Sequence, residues 1–170
     1  MDFKELCNKR FSVRSYLPQA VTDDVLEYIL ECARLAPSAV NKQPWTIYVC
    51  RDEAVRRELQ KAYSRSWFQE APVYLVICHK KEASWTRACD GKNHGDIDIA
   101  ILTEHVCLAA AEKGLGSCWV CNFEPDVVRH ALQLEAESEP VVIVPLGYTD
   151  EKAEEHEKKR NALNEICIWK

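Results

Sequence analysis

The sequence predicts an α+β domain in which helices wrap a mixed sheet. Strand-like apolar runs alternate with amphipathic helical segments. The chain nevertheless opens helix-rich and lacks the regular strand–helix–strand rhythm of a doubly wound sheet. At 170 residues there is room for one domain, spanning 1–170, with a substantial core.

Each element has a local cause. Residues 2–9 place Phe3, Leu6 and Cys7 on one helical face. A turn through Ser12 and Ser15 leads to Pro18, and Thr22 is placed to cap a helix over 23–35, with Asp23 and Asp24 at its positive end. Val25, Leu26, Ile29, Leu30 and Ala33 form its apolar face, and Pro37 stops it. Residues 45–50 read as a strand, 53–63 as an amphipathic helix, and 73–78 as a strand buried on both faces. The polar stretch 79–95 is long enough to be a lid. Residues 96–113 form a helix apolar nearly all round, capped by Asp96 and ended by Gly114, and so buried in the core or at a subunit interface. Residues 117–121 read as a strand, 124–134 as a helix with Pro125 in its first turn, and 140–146 as another strand. A charged run over 150–160 then precedes an apolar tail at 163–169, the pattern of an arm that packs elsewhere.

Composition excludes several classes. Net charge is −5, and the basic residues are scattered except at Lys158-Lys159-Arg160, which argues against nucleic-acid binding. Five charges in the first ten residues rule out a secretory apolar region there. The most apolar helical stretch, 97–111, is too short to span a bilayer and carries Asp98, Glu104 and His105. A cytoplasmic protein without a membrane partner is expected. The nine cysteines are odd in number and lie mostly in apolar runs, as small buried hydrophobes in a reducing compartment do. Cys118-Trp119-Val120-Cys121 is a C-x-x-C, but within a strand Cys118 and Val120 share one face and Cys121 takes the other. The histidines form no zinc spacing, so no metal site is expected.

Four short segments carry candidate chemistry. Arg10, Ser12 and Arg14 offer two guanidinium groups and a hydroxyl, the donors a phosphate dianion needs. An extended backbone would turn all three to one side. Taken alone, the segment reads more simply as three solvated side chains at a helix end. Ser38, Asn41, Gln43 and Trp45 follow a helix stop in a loop suited to ligand contacts, or to a plain turn. Gly114-Leu115-Gly116-Ser117 lets backbone amides approach a ligand, or simply ends a helix. It follows a helix and lacks a third glycine, so it is no dinucleotide fingerprint. Lys158, Lys159 and Arg160 are either a phosphate clamp from the far end of the chain or a solvated charge run.

Arg10-Phe11-Ser12-Val13-Arg14 and Ala36-Pro37-Ser38-Ala39-Val40-Asn41-Lys42-Gln43-Pro44-Trp45, about 25 residues apart, resemble the opening of the nitroreductase-like flavoproteins. The resemblance continues through the buried helix into Gly114-Leu115-Gly116-Ser117, the apolar run 140–148, and Lys158-Lys159-Arg160. It implies a nitroreductase-like α+β fold with a mainly antiparallel central sheet, and a homodimer with an exchanged C-terminal arm at about 150–170. It implies FMN at the dimer interface, bound by Arg10, Ser12, Arg14, Arg160 and Lys158, with Ser38 and Asn41 reaching it from the partner subunit. Gly116 and Ser117 would approach it through backbone groups.

The implied activity is hydride transfer from NADH or NADPH through flavin N5 to a small-molecule acceptor such as a nitroaromatic or quinone, by a ping-pong course. The flavin does the chemistry, so no catalytic side chain is expected. The chain is short for this family. Residues 85–95, or Trp67 and Phe68, would serve as lid in place of the larger insertions. An FMN-binding protein without turnover and a cysteine-based redox or metal protein remain the alternatives.

Overall fold

The structure, a computed structural model, describes residues 1–152 and 155–170. Chain order is α1 (Phe3–Lys9), α2 (Asp23–Arg34), β1 (Trp45–Cys50), α3 (Glu53–Gln60), β2 (Val73–Lys80), α4 (Gly95–Glu112), β3 (Gly116–Ser117), α5 (Pro125–Leu132), β4 (Ser138–Gly147) and α6 (Leu163–Ile166). The strands form one sheet in the order β1-β2-β4-β3, antiparallel throughout.

The two central strands are apolar on both faces because both faces are covered. Val73, Leu75 and Ile77 of β2, with Val142, Val144 and Leu146 of β4, pack against α2 and α4. Tyr74, Val76 and Cys78, with Ile143, point the other way onto Leu59 of α3, Phe68 and Val128 of α5. The register slips by one residue past Ile77, so that Val142 opposes Ile77 while Pro140 opposes Cys78. The bulge absorbs Pro140, which has no N–H for the ladder.

Local sequence explains the helix starts. Asp2 accepts from the Glu5 amide while Glu5 reaches back to the Asp2 amide, a reciprocal capping box. Asp52 accepts from the amides of Ala54 and Val55 at the start of α3. Thr22 stands at the cap of α2 but makes no side-chain cap bond. α4 starts one residue earlier than the sequence suggests, with His94 as its cap instead of Asp96.

Two other expectations are corrected. The strand over 117–121 shrinks to the two residues of β3, followed by a single bridge from Val120 to Ile143. Its alternation survives: Cys118 and Val120 are buried, while Trp119 and Cys121 are exposed. Trp67 and Phe68 are not a lid. Phe68 is fully buried and its ring meets those of Tyr63 and Tyr74 at 5.3 and 4.7 Å, so this aromatic pair belongs to the core. The 81–95 segment is knitted down by a bridge between Thr86 and Asn93, the Arg87–Asp90 ion pair, and Asn93 accepting from the Gly95 amide at 2.9 Å.

Residues 12–17 run alongside the sheet edge. Ser12 bridges Ser117 in parallel, the Val13 amide donates to the Ser117 carbonyl at 3.0 Å, and the Leu17 amide donates to Tyr148 at 2.8 Å. Gly116 makes this approach feasible, because a Cβ there would stand 2.7 Å from both Val13 methyls. Gly116→Ala is therefore expected to destabilise the fold by about 1–3 kcal/mol through overpacking. Adding Val13→Ala should recover part of that loss, which denaturant unfolding of the single and double variants would measure.

Candidate cofactor site

Positive side chains from both ends of the chain meet beside α1 and the middle of α4. Arg10, the C-terminal cap residue of α1, sits 3.5 Å from Glu104 of α4 and is largely buried. Lys158 donates to the carbonyl of Cys7 in the last turn of α1, where the helix dipole favours a cation. Burial pushes the Lys158 ammonium below its ordinary value, and the positive charges of Arg10 and Arg160 push it further the same way. Arg10 and Lys158 thus stand against the same short helix, within reach of each other's charge. A bound anion relieves the repulsion between them.

The Arg10–Arg14 segment faces the same region. The Cys118 thiol is raised chiefly by burial, and Arg14, a hydrogen bond with Ser12, and Arg10 oppose the rise. All three members of the motif therefore surround one buried sulfur. Arg14 is exposed, with its Nη1 donating to the Ser12 carbonyl at 3.2 Å and its amide donating to Glu151 at 3.2 Å. Tail residue His156 lies 3.3 Å from Glu151 and stacks on Phe11 with ring centroids 4.5 Å apart, which lays the segment bearing Lys158 and Arg160 across the motif. Ala153 and Glu154, within the charged run, lie outside the described residues.

A cavity of ≈ 230 Å³ opens here, lined by Arg10, Phe11, Gly114, Gly116, Ser117 and Thr149 among others. Its lining offers a phosphate the Arg10 guanidinium, the ammonium groups of Lys9 and Lys152, and the hydroxyls of Ser117 and Thr149, with Glu151 as the one acid among the described lining residues. The volume is below the roughly 300–1,000 Å³ of complete small-molecule pockets, so this wall alone houses only part of a mononucleotide. Gly116 lines the cavity, and its missing Cβ is explained by Val13.

Ser38 and Asn41 lie elsewhere. Their loop touches the first turn of α4, where the Ala39 amide donates to Asp98 at 2.9 Å. From Asp98 to the end of α4 at Glu112 is about 21 Å at 1.5 Å per residue. Asp98 lies in the first turn, whereas Arg10 meets Glu104 about 9 Å further along α4 and the cavity opens past the end of the helix. The loop itself is strained: Val40, Asn41 and Gln43 have φ of 48°, 57° and 48°. Left-handed backbone at non-glycine residues costs about 1–3 kcal/mol each and gathers at functional sites. Ser38 Oγ accepts from the Gln43 amide at 2.9 Å, and Asn41 Oδ1 accepts from Gln43 Nε2 at 3.1 Å.

A family model described as the nitroreductase family matches residues 8–70 and 60–148. The chain belongs to the nitroreductase family. It is an FMN-dependent oxidoreductase with NADH or NADPH as donor. Among solved structures, a nitroreductase family protein from Clostridium difficile 630 is 40% identical with a TM-score of 0.91, covering 99% of this chain and 98% of that one. An NADH dehydrogenase of Thermus thermophilus is 30% identical over 100% of this chain and 97% of its own length. A nitroreductase from Exiguobacterium sibiricum 255-15, solved in complex with FMN, shares the fold with a TM-score of 0.88 at 21% identity, over 100% of this chain and 98% of that one.

Among the described residues, no group of three or more His, Cys, Asp or Glu side chains is arranged to hold a metal ion, and no helix is long and apolar enough to cross a membrane. All nine cysteines are free. Sequence reading missed Asp98, Glu104 and Glu151 as partners of the site. For Asp98 a signal existed: it is an acidic residue flanked by Ile97 and Ile99 inside an otherwise apolar helix.

Burial raises the Cys50 and Cys107 thiols from 9.0 to about 12, and Cys78 from 9.0 to about 11. These groups are neutral in both folded and unfolded chains well below pH 9. Above it the unfolded chain ionises first, so their contribution to stability is full below 9.0 and fades towards about 12. Unfolding midpoints in denaturant are expected to fall steadily as pH rises past 9, and these three thiols should resist alkylation in the folded protein at pH 7.

Proposed function

We propose that this protein is a homodimeric NAD(P)H oxidoreductase whose two FMN molecules each span the subunit interface. The observation that carries this reading is that Arg10 and Lys158, from opposite ends of the chain, both stand against α1 beside a cavity that Arg10 helps to line. In this reading Arg10, Ser12, Arg14, Lys158 and Arg160 hold the cofactor from one subunit. Ser38 and Asn41 hold it from the other, and the amides of Gly116 and Ser117 border it.

The surface of α4 supports the dimer. Its outer side is apolar, and an open groove of ≈ 510 Å³ runs along it, lined by Phe3, Leu6, Cys32, Ile101, His105 and Leu108 among others. The C-terminal tail is apolar and uncovered: Leu163, Ile166, Ile168 and Trp169 are exposed, Trp169 by 92%. An unpartnered apolar helix face together with an unpartnered apolar arm fits association with a second copy. An antiparallel approach of two α4 helices sets the loop end of one beside the cavity end of the other.

Bound FMN supplies hydride transfer at N5, accepting from NADH or NADPH and delivering in a second step to an acceptor such as a nitroaromatic or quinone. The chain's own residues bind and orient. Arg10, Lys158 and Arg160 neutralise the phosphate, and Arg14 adds fixed positive charge that favours the reduced, more anionic flavin.

The purified protein should be yellow and should bleach with anaerobic NADH or NADPH. A yellow protein that neither donor bleaches would establish binding without turnover. Lys158→Ala should weaken FMN binding about ten-fold, through loss of a charged contact. Trp169→Asp should yield monomers that lose FMN on gel filtration, and a yellow monomer of native affinity would contradict the shared site.

A further inference from the structure

We infer that Asp98 is the positioning residue that holds the Ser38–Gln43 loop in its flavin-contacting shape. The inference rests on the reading that Ser38 and Asn41 reach the partner's FMN. It goes beyond that reading, because it assigns a role to Asp98, whose contact is with the loop backbone at Ala39.

Asp98 lies in the first turn of α4 and is only 2% exposed. One carboxyl oxygen accepts from the Ala39 amide at 2.9 Å. The other is buried with no hydrogen-bond partner. A buried polar oxygen without a partner is costly, and an apolar residue would be cheaper for stability alone. Ile97 and Ile99 on either side show what the helix otherwise uses. The one bond Asp98 makes is therefore the reason for its presence.

That bond reaches the loop where it matters. Ala39 opens the helical turn that runs directly into the left-handed residues Val40 and Asn41, and Gln43 follows in the same region. A β-branched residue such as Val40 avoids this conformation strongly and adopts it only when its surroundings over-determine it. Val40 is 71% exposed, so packing of its side chain does not enforce its φ. Ser38 and Asn41 support the loop internally through Gln43. Asp98 fixes it to the buried helix, and thus sets where Asn41 stands relative to the subunit interface.

The test measures FMN release from the holoenzyme on dilution, followed by recovery of flavin fluorescence, beside thermal unfolding. Asp98→Ala should weaken FMN binding about ten-fold. Ala39→Pro removes only the donating N–H and leaves the carboxyl in place. Ser38 is extended at φ −137° and ψ 160°, as a residue before proline requires. This variant should weaken binding to a similar degree, which keeps the test usable if Asp98→Ala folds poorly. Asp98→Asn retains an acceptor oxygen and should bind FMN nearly as the native protein does. Val40→Gly removes the strain and should restore part of the affinity lost in Asp98→Ala, since glycine adopts positive φ readily. A purely structural role predicts additive effects with no such rescue. Native FMN affinity in Ala39→Pro, alongside weak binding in Asn41→Ala, would overturn the role of Asp98 alone. Native affinity in Asn41→Ala would overturn the underlying reading of the loop, and this inference with it.

Discussion

Helix α4 is the constraint on which the rest of the molecule depends. Its sides are apolar all round, so it needs cover from every direction. The sheet and α2 cover the inner sides with Leu75, Ile77, Val144 and Ile29. The outer side, with Ile101 and Leu108, stays open in a single chain. The same helix carries the two halves of the site: the strained loop on Asp98 in its first turn, and the cavity past its end, with Arg10 beside Glu104. The proposed second copy in antiparallel approach would answer both the hydrophobic demand along the sides of the helix and the polar chemistry beside it.

The charge cluster gives that geometry its ligand. Like charges are ordinarily spread over a surface, and Arg10 and Lys158 are instead brought together across nearly the full chain length. Glu104 neutralises part of the excess. The remaining positive potential suits a phosphate dianion, and the nearby thiols of Cys107 and Cys118 stay protonated through burial and so do not compete with it.

Much of this was legible from sequence. The periodicity of 23–35 and the unbroken apolarity of 73–78 translate directly into α2 and β2, because burial on one face or on both leaves a clean pattern. The pairing of Arg10–Arg14 with Pro37–Trp45 pointed to the family that the family model matches over 8–70 and 60–148. Other features were hidden for physical reasons. Trp67 and Phe68 look like a surface lid until the aromatic stack with Tyr63 and Tyr74 is seen, and only the tertiary fold turns that local stack inward against Leu59 and Val128. The segment 117–121 carries strand-like alternation, yet only Gly116–Ser117 find ladder partners, and no local pattern reports where a neighbouring strand ends. Asp98 was noticed only as a charge within an apolar run, and its partner Ala39 lies 59 positions away.

The sharing of each cofactor between two subunits is tested most directly by complementation. An Arg10→Ala chain and an Asn41→Ala chain, carrying different affinity tags, would be co-expressed, and the mixed dimer purified through both tags. The account predicts one FMN of native affinity per mixed dimer, because the intact cations of one subunit face the intact loop of the other. Mixed dimers that bind FMN no better than either parental homodimer would contradict it.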